Sequence, residues 1–194
     1  KNMQLLAGKP LIYWTIQASK KSHFIHRTVV TSDDQAILDY SLREGVEIIK
    51  RPKKYAKDNS TSEEAIIHVL DYLFKKEKYS PDIFILLQPT SPLRTSEDID
   101  NAFKQYAKTN ATALISGYEP EKSPLKSFLL NDEGFLKGIR NNTDPFTNRQ
   151  KLPKNYNPNG AIFIIKTAFF IKTQNLLTDK TIPFFKKKKK NIDI

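Results

Sequence analysis

Apolar residues recur along the chain at two different intervals, and the alternation between those intervals carries most of the fold. Pro10-Leu11-Ile12-Tyr13-Trp14-Thr15-Ile16-Gln17-Ala18 sets a proline at a first-turn position ahead of apolar residues at helical spacing. This predicts a helix starting just after Gly8-Lys9. Arg27-Thr28-Val29-Val30-Thr31 predicts a short buried strand, and Ser32-Asp33-Asp34 offers N-cap chemistry for a helix from Gln35 to Arg43. Gly45 is its stop signal, and Val46-Glu47-Ile48-Ile49 predicts the next strand. The order then repeats. Ser60 with Glu63 has the capping-box spacing and opens a helix whose apolar positions include Ala65, Ile66, Val69, Leu70 and Leu73. Ile83-Phe84-Ile85-Leu86-Leu87 is an unbroken apolar run, as expected of a central strand covered on both faces. Ser96-Glu97-Asp98 predicts the cap of a further helix ending near Lys108, and Ala113-Leu114-Ile115-Ser116 predicts another buried strand.

Strands alternating with helices of about three turns indicate a doubly wound α/β fold, a parallel sheet with helices on both sides. After Glu119 the texture changes. Residues 123–158 are polar, carry Pro124, Pro145, Pro153 and Pro158, and predict only short strands around Leu125 to Leu130 and Phe135 to Ile139. This stretch is expected to leave the main sheet as an arm. Gly160-Ala161-Ile162-Phe163-Ile164-Ile165 returns to the core, followed by a short helix near Ala168 to Ile171 and a last strand at Thr181 to Phe185. The whole of 1–194 is read as one domain, with no internal repeat.

Composition narrows the function classes. A chain of 194 residues fits one domain, and a domain of that size buries about 70% of its unfolded surface. The absence of cysteine excludes a disulfide scaffold, a Cys-ligated zinc and a thiol nucleophile. No apolar run approaches the roughly 18 residues needed to cross a bilayer, so a cytoplasmic protein without a membrane partner is expected. A net charge of +11 fits a nucleic-acid binder, a site for anionic small molecules, or a lysine-rich surface. The only dense basic run, residues 186–190, has no interleaved aromatics, and no nucleic-acid module accompanies it, so a nucleic-acid partner is not expected.

In an open α/β sheet, ligands bind beyond the carboxyl ends of the strands. The central run is followed by Gln88-Pro89-Thr90-Ser91-Pro92-Leu93-Arg94, which presents an amide, hydroxyls and a guanidinium on a segment stiffened by prolines. Such a loop suits a hydroxyl-rich ligand. It is equally well a rigid strand-to-helix turn with Arg94 on the surface.

Leu86-Leu87-Gln88-Pro89-Thr90-Ser91-Pro92-Leu93-Arg94 resembles the signature loop of the N-acylneuraminate cytidylyltransferases, the CMP-sialic acid synthetases. Further stretches agree in order and spacing. Lys1-Asn2 with Leu6-Ala7-Gly8-Lys9-Pro10-Leu11-Ile12 resembles the segment after the family's glycine-rich loop. Pro158-Asn159-Gly160-Ala161-Ile162-Phe163 resembles its proline-asparagine-glycine strand, and Asn191-Ile192-Asp193-Ile194 resembles the opening of its terminal acidic motif. The resemblance implies a Rossmann-like nucleotidyltransferase domain with a mostly parallel central sheet, and an arm, plausibly 123–158, through which two copies form a homodimer. It also implies transfer of CMP from CTP to a nonulosonic acid, with release of pyrophosphate.

Carried over position by position, the resemblance places Lys1, Asn2, Arg51, Ser60 and Ser62 against the nucleotide, Lys1 on phosphate and Asn2 on a base or ribose edge. Ser60 can serve as helix cap and ligand contact together, since a helix start attracts anions. Gln88, Thr90, Lys126 and Arg149 fall on the sugar side, and Arg149 is the better carboxylate grip because its guanidinium can donate two parallel hydrogen bonds. Without the resemblance, Lys126 and Arg149 would read as solvated arm cations. Asp193 corresponds to one of a pair of aspartates that hold magnesium, or manganese in its place, a hard cation that takes oxygen ligands. Arg149 and Asp193 are thus the candidate catalytic residues. The family's strand and glycine-rich phosphate loop are expected before Lys1, and its second aspartate after Ile194.

The chain departs from the family at Asn157, where an arginine is frequent, and at Phe163, where a tyrosine is frequent. Both changes bear on the sugar. No residue stands out as a general base, and His23, His26 and His68 read as surface or core residues. Two alternatives remain open: a synthetase for legionaminic, pseudaminic or ketodeoxyoctulosonic acid, and a non-catalytic basic module that holds a polyanion.

Overall fold

Residues 1–57 and 59–185 are described in the computed structural model. Strands β1 (Leu5–Leu6) and β2 (Lys9–Pro10) form a small antiparallel hairpin that turns at Ala7 and Gly8, both at positive φ. Helix α1 (Leu11–Lys20) starts directly after Pro10, which stands at the cap position rather than in the first turn, and buries Leu11, Ile12, Thr15 and Ile16. Strand β3 (Val29–Ser32) follows, then α2 (Gln35–Arg43), where the Asp34 carboxylate accepts from Ala36 N at 2.8 Å in the expected cap. Gly45, at φ 76°, ends the turn into β4 (Glu47–Lys50), which pairs parallel with β3.

Two helix starts differ from the sequence expectation by one residue. The cap of α3 (Ser62–Glu77) is Thr61, with Thr61 Oγ1 accepting from Glu64 N at 3.2 Å and Glu64 Oε2 accepting from Thr61 N at 3.1 Å. The hydroxyl of Ser60 instead accepts from Lys57 N at 3.0 Å, which closes the preceding turn. Likewise α4 (Ser96–Ala107) is capped by Thr95 with Asp98, and Ser96 is its first helical residue.

Between these helices lies β5 (Ile83–Leu86), and after α4 comes β6 (Ala113–Tyr118). The arm holds a small hairpin, β7 (Phe128–Leu130) with β8 (Leu136–Gly138), flanked by short 3-10 turns. The long β9 (Asn157–Lys166) re-enters the core, and α5 (Thr167–Thr173) and β10 (Thr181–Phe185) complete the described chain.

The larger sheet runs β10-β6-β9-β5. The expected parallel pairing holds for β6 with β10 and for β3 with β4, while β9 lies antiparallel between β5 and β6. Alternate residues of β9 face opposite layers, as the period of two requires. Ile162 and Ile164, each 0% exposed, pack with Ile99, Ala102 and Leu114 under α4, whereas Ile165 packs with Ile66, Ala113 and Phe170. Helices therefore cover both faces, and β9 is a central strand.

Among the described residues, β3 and β5 pair with no common neighbour, so the β3-β4 pair stands apart from the larger sheet. Both strands line one groove of about 600 Å³ that α1 and α3 wall in. No helix among the described residues is long and apolar enough to cross a membrane.

Candidate functional site

The groove runs between β3 and β5, from Tyr79 and Pro81 ahead of β5 to Gln88 and Pro89 beyond it, and so reaches the carboxyl edge where such folds bind ligands. Its walls include Asn2, Arg51, Ser60, Ser62 and Gln88, so five of the residues singled out in the sequence meet around one cavity. Arg51 leaves β4 with its N–H donating to Ser32 O at 2.8 Å, and its guanidinium stands 3.7 Å from the Asp33 carboxylate, a long and half-exposed pairing. Its Nε is buried without a partner. A guanidinium held this loosely retains donors for an anionic ligand. Ser60 and Ser62 flank the Thr61 cap of α3, a helix of 16 residues whose N-terminus carries a positive dipole end beside the groove. The Ser62 hydroxyl makes no intramolecular bond among the described residues.

The other wall is the loop after β5, and a buried network fixes it. Ser91 N donates to Gln88 O at 3.3 Å and Arg94 N to Ser91 O at 3.2 Å, which folds the loop onto itself. Arg94 is 3% exposed, so the surface role considered for it is overturned. Its Nη1 donates to Gln88 O at 3.1 Å and Ala161 O at 2.6 Å, and its Nη2 to Thr15 Oγ1 at 2.5 Å. One side chain thus ties the loop to β9 and α1. Burial of this guanidinium lowers its pKa to about 10.

A second tie runs through Asn159. The Ser91 hydroxyl donates to Asn159 O at 3.0 Å, and the Asn159 Oδ1 accepts from Ser116 Oγ at 2.7 Å and Ala161 N at 3.1 Å. Ser116 Oγ in turn accepts from Ile162 N at 2.8 Å. Ser91 and Arg94, offered by the sequence as groups of a ligand-facing loop, and Ser116 and Asn159, which it gave no role, together form the support of that loop. Their signal was present in part, because Ser91, Arg94 and Asn159 sit inside the motifs already singled out.

The remaining candidates stand elsewhere. Lys1 is exposed, and neither it nor Thr90 is among the groove-lining residues. On the arm, Lys126 Nζ reaches Pro145 O at 3.5 Å, and Arg149 lines a separate open depression with Glu119, Pro120, Glu121 and Lys122. A single chain therefore does not bring Lys126 and Arg149 to the Gln88 wall. Asp193 and the lysines of 186–190 lie outside the described residues. Among the described residues there is no group of three or more His, Asp or Glu side chains able to hold a metal, and the groove walls carry no carboxylate residue.

Residues 1–193 match the sequence pattern of the family described as Cytidylyltransferase. The chain belongs to the cytidylyltransferase family. All of this cytidylyltransferase chain aligns with an N-acylneuraminate cytidylyltransferase of Streptococcus agalactiae serotype V at 32% identity, over 46% of that protein. The chain thus spans about half the length of the first curated relatives it matches. A CMP-N,N'-diacetyllegionaminic acid synthase of Legionella pneumophila is 30% identical over 94% of this chain and 78% of its own length. In fold, the chain superposes on a CMP:2-keto-3-deoxy-manno-octonic acid synthetase complexed with CTP, with a TM-score of 0.68 over 96% of this chain and 83% of that one at 13% identity. The 4-diphosphocytidyl-2C-methyl-D-erythritol synthase of Anaerococcus prevotii gives 0.66 at 12% identity, over 98% and 82%. The nucleotidyltransferase-like α/β fold implied by the sequence motifs is the fold observed.

Proposed function

We propose that this cytidylyltransferase joins the CMP part of CTP to a sialic acid, N-acetylneuraminate or a related nonulosonate, giving the CMP-sugar and pyrophosphate. One observation carries the reading: Asn2, Arg51, Ser60 and Ser62 line the same groove as Gln88, at the sheet edge where nucleotides bind in open α/β folds. The anomeric hydroxyl attacks the α-phosphorus in line, and the bond from that phosphorus to the pyrophosphate bridge breaks. Positioning and charge neutralisation carry such transfers. Arg51, with its unpartnered Nε, neutralises phosphate oxygens from the β4 side, and Lys1 adds a second cation. Ser60, Ser62 and Asn2 supply neutral contacts to the nucleotide. Gln88 and Thr90 hold hydroxyl or acylamino groups of the sugar.

Lys126 and Arg149 are the cations for the sugar carboxylate. They sit on an arm whose hairpin exposes Leu130 at 70%, Phe135 at 67% and nearby Phe146 at 80%. Exposed apolar side chains at that density mark an association surface, so the arm joins two copies into a homodimer and the cations complete a site after association. Magnesium, or manganese, belongs to the same reading, with Asp193 as the residue of this chain that would hold it; such an ion would supply positive charge against the triphosphate. We place the reaction in the cytoplasm.

The relative from Legionella supports a second reading, a legionaminic acid as acceptor, because this chain covers most of that protein's length. The test is full-length protein with CTP and magnesium, offered N-acetylneuraminate, diacetyllegionaminate and ketodeoxyoctulosonate separately, with pyrophosphate release and product mass as readouts. Turnover of N-acetylneuraminate by a preparation that sediments as a dimer is the expected result. A complete preference for the eight-carbon acid, or no turnover of any, would overturn it. Binding of polyanions with no pyrophosphate release would favour the basic-module alternative instead.

A further inference from the structure

Gln88 is held in an unusual way. Its carbonyl accepts from Arg94 Nη1 and from Ser91 N, and Ser91 is anchored on Asn159, so the backbone of the loop cannot drift from β9. The side-chain amide, by contrast, has no hydrogen-bond partner among the described residues. It lies against the backbone of Gly160. Gly160 has a φ of 66°, and the space where its Cβ would stand is filled by Gln88 Oε1, with Ser91 Oγ close behind. The backbone of β9 therefore forms a seat for the Gln88 amide, and only a residue without a Cβ leaves that seat open.

We propose that Gly160 is a positioning residue for the acid sugar, acting through Gln88: the absent side chain at 160 aims the unpaired amide of Gln88 at the sugar. This rests on the sialic acid reading, in which Gln88 is a sugar contact. A methyl group at 160 meets the far end of a flexible side chain, which turns away while the loop backbone stays where Arg94 and Ser91 hold it; the φ of 66° adds backbone strain at 160 itself, which the Asn variant below lessens. The consequence falls on sugar binding and leaves the nucleotide wall, built from β4 and α3, untouched.

The experiment is a kinetic double-mutant cycle in the full-length enzyme with Gln88→Ala, Gly160→Ala and the double variant. Losing one neutral hydrogen bond raises the KM for the sugar about fivefold to tenfold. Both single variants are expected to show that rise with the KM for CTP within about twofold, and the double variant to be no worse than Gln88→Ala, because the contact is lost only once. Gly160→Asn serves as the second variant, since Asn accepts positive φ with less strain yet carries the same Cβ. The side-chain amide resonances of Gln88, assigned by their loss in Gln88→Ala, must also move in Gly160→Ala. Unmoved resonances, multiplicative KM effects, or equal rises in the KM for sugar and CTP would each overturn the proposal while wild-type activity stands. A wild-type enzyme inactive on every nonulosonic acid would remove the sialic acid reading and this role with it.

Discussion

Replacing Arg94 by Met tests the claim that one buried guanidinium holds the site loop. Met fills most of the space and donates nothing, so Ala161 O and Thr15 Oγ1 lose their donor, while Gln88 O keeps the N–H of Ser91. A buried acceptor left unpaired costs about 1–3 kcal/mol, hence roughly 2–6 kcal/mol for the two before relaxation. An opposing term comes from the charge itself. Burial lowers the Arg94 pKa to about 10, which corresponds to ~3 kcal/mol against the charged form, and Met recovers that amount. The midpoint of the difference is a loss of about 1 kcal/mol. For a domain of this size each kcal/mol lowers Tm by about 2–4 °C, so thermal unfolding followed by circular dichroism at pH 8 is expected to shift down by roughly 2–4 °C. Arg94→Lys keeps the buried charge but offers a single ammonium that cannot span α1, the loop and β9, so it is expected to lose at least as much. A Met variant as stable as the wild type would refute the reasoning, because it would mean that desolvation of the charge outweighs the bonds it makes.

Two further outcomes follow from the local structure. Thr61→Ala removes the α3 capping box and is expected to cost about 1 kcal/mol in urea unfolding, whereas Ser60→Ala leaves the helix cap intact and should change stability by less than about 0.5 kcal/mol; equal losses would restore Ser60 as the cap. Burial, opposed by Asp71 and reinforced by Arg51 and Lys54, lowers the His68 pKa below its ordinary 6.5. A group lowered in the folded state adds stability above pH 6.5 and loses it as pH falls through the folded value, so the urea midpoint should drop between pH 7.5 and 5, and more steeply in the wild type than in His68→Gln.

The helices and strands were legible in the sequence because the starts of α2, α3 and α4 carry side-chain caps and each apolar interval fits one secondary structure. The cap shift at α3 and α4 shows the limit of that signal. Ser60-Thr61 and Thr95-Ser96 offer adjacent hydroxyls; at α4 only Thr95 has a carboxylate three residues on, at Asp98, whereas at α3 both Ser60 with Glu63 and Thr61 with Glu64 have the spacing, and the choice falls to Thr61 because Ser60 closes the preceding turn. The direction of β9 was harder to read, since a strand buried on both faces shows the same apolar run whichever way it points. Its direction follows from the arm. The chain leaves β6 at Tyr118 and returns at Asn157 directly opposite it, so residues 119–156 are the long loop of an antiparallel hairpin. A parallel return would have required a crossover helix, and nothing in that polar, proline-rich stretch predicts one.

The site was legible to a different depth on its two sides. Arg51 after its strand and Ser62 at its helix start were named by the family resemblance, and both line the groove. Residues that act by contact across the chain were not. Arg94 read equally as a ligand-facing guanidinium or a surface cation, because sequence cannot show that two carbonyls and a hydroxyl converge on it, and Gly160, though inside a recognised motif, gave no sign of what its missing side chain makes room for. The same geometry accounts for the separation of Lys126 and Arg149 from the groove. The arm is tied to the core where β6 and β9 pair at its base, while its apolar hairpin points to solvent. An arm so built gains its missing burial only from another surface. In the proposed dimer that burial and the delivery of cations to the acid sugar become one event, which makes the nucleotide side a property of the single chain and the sugar side a property of the pair.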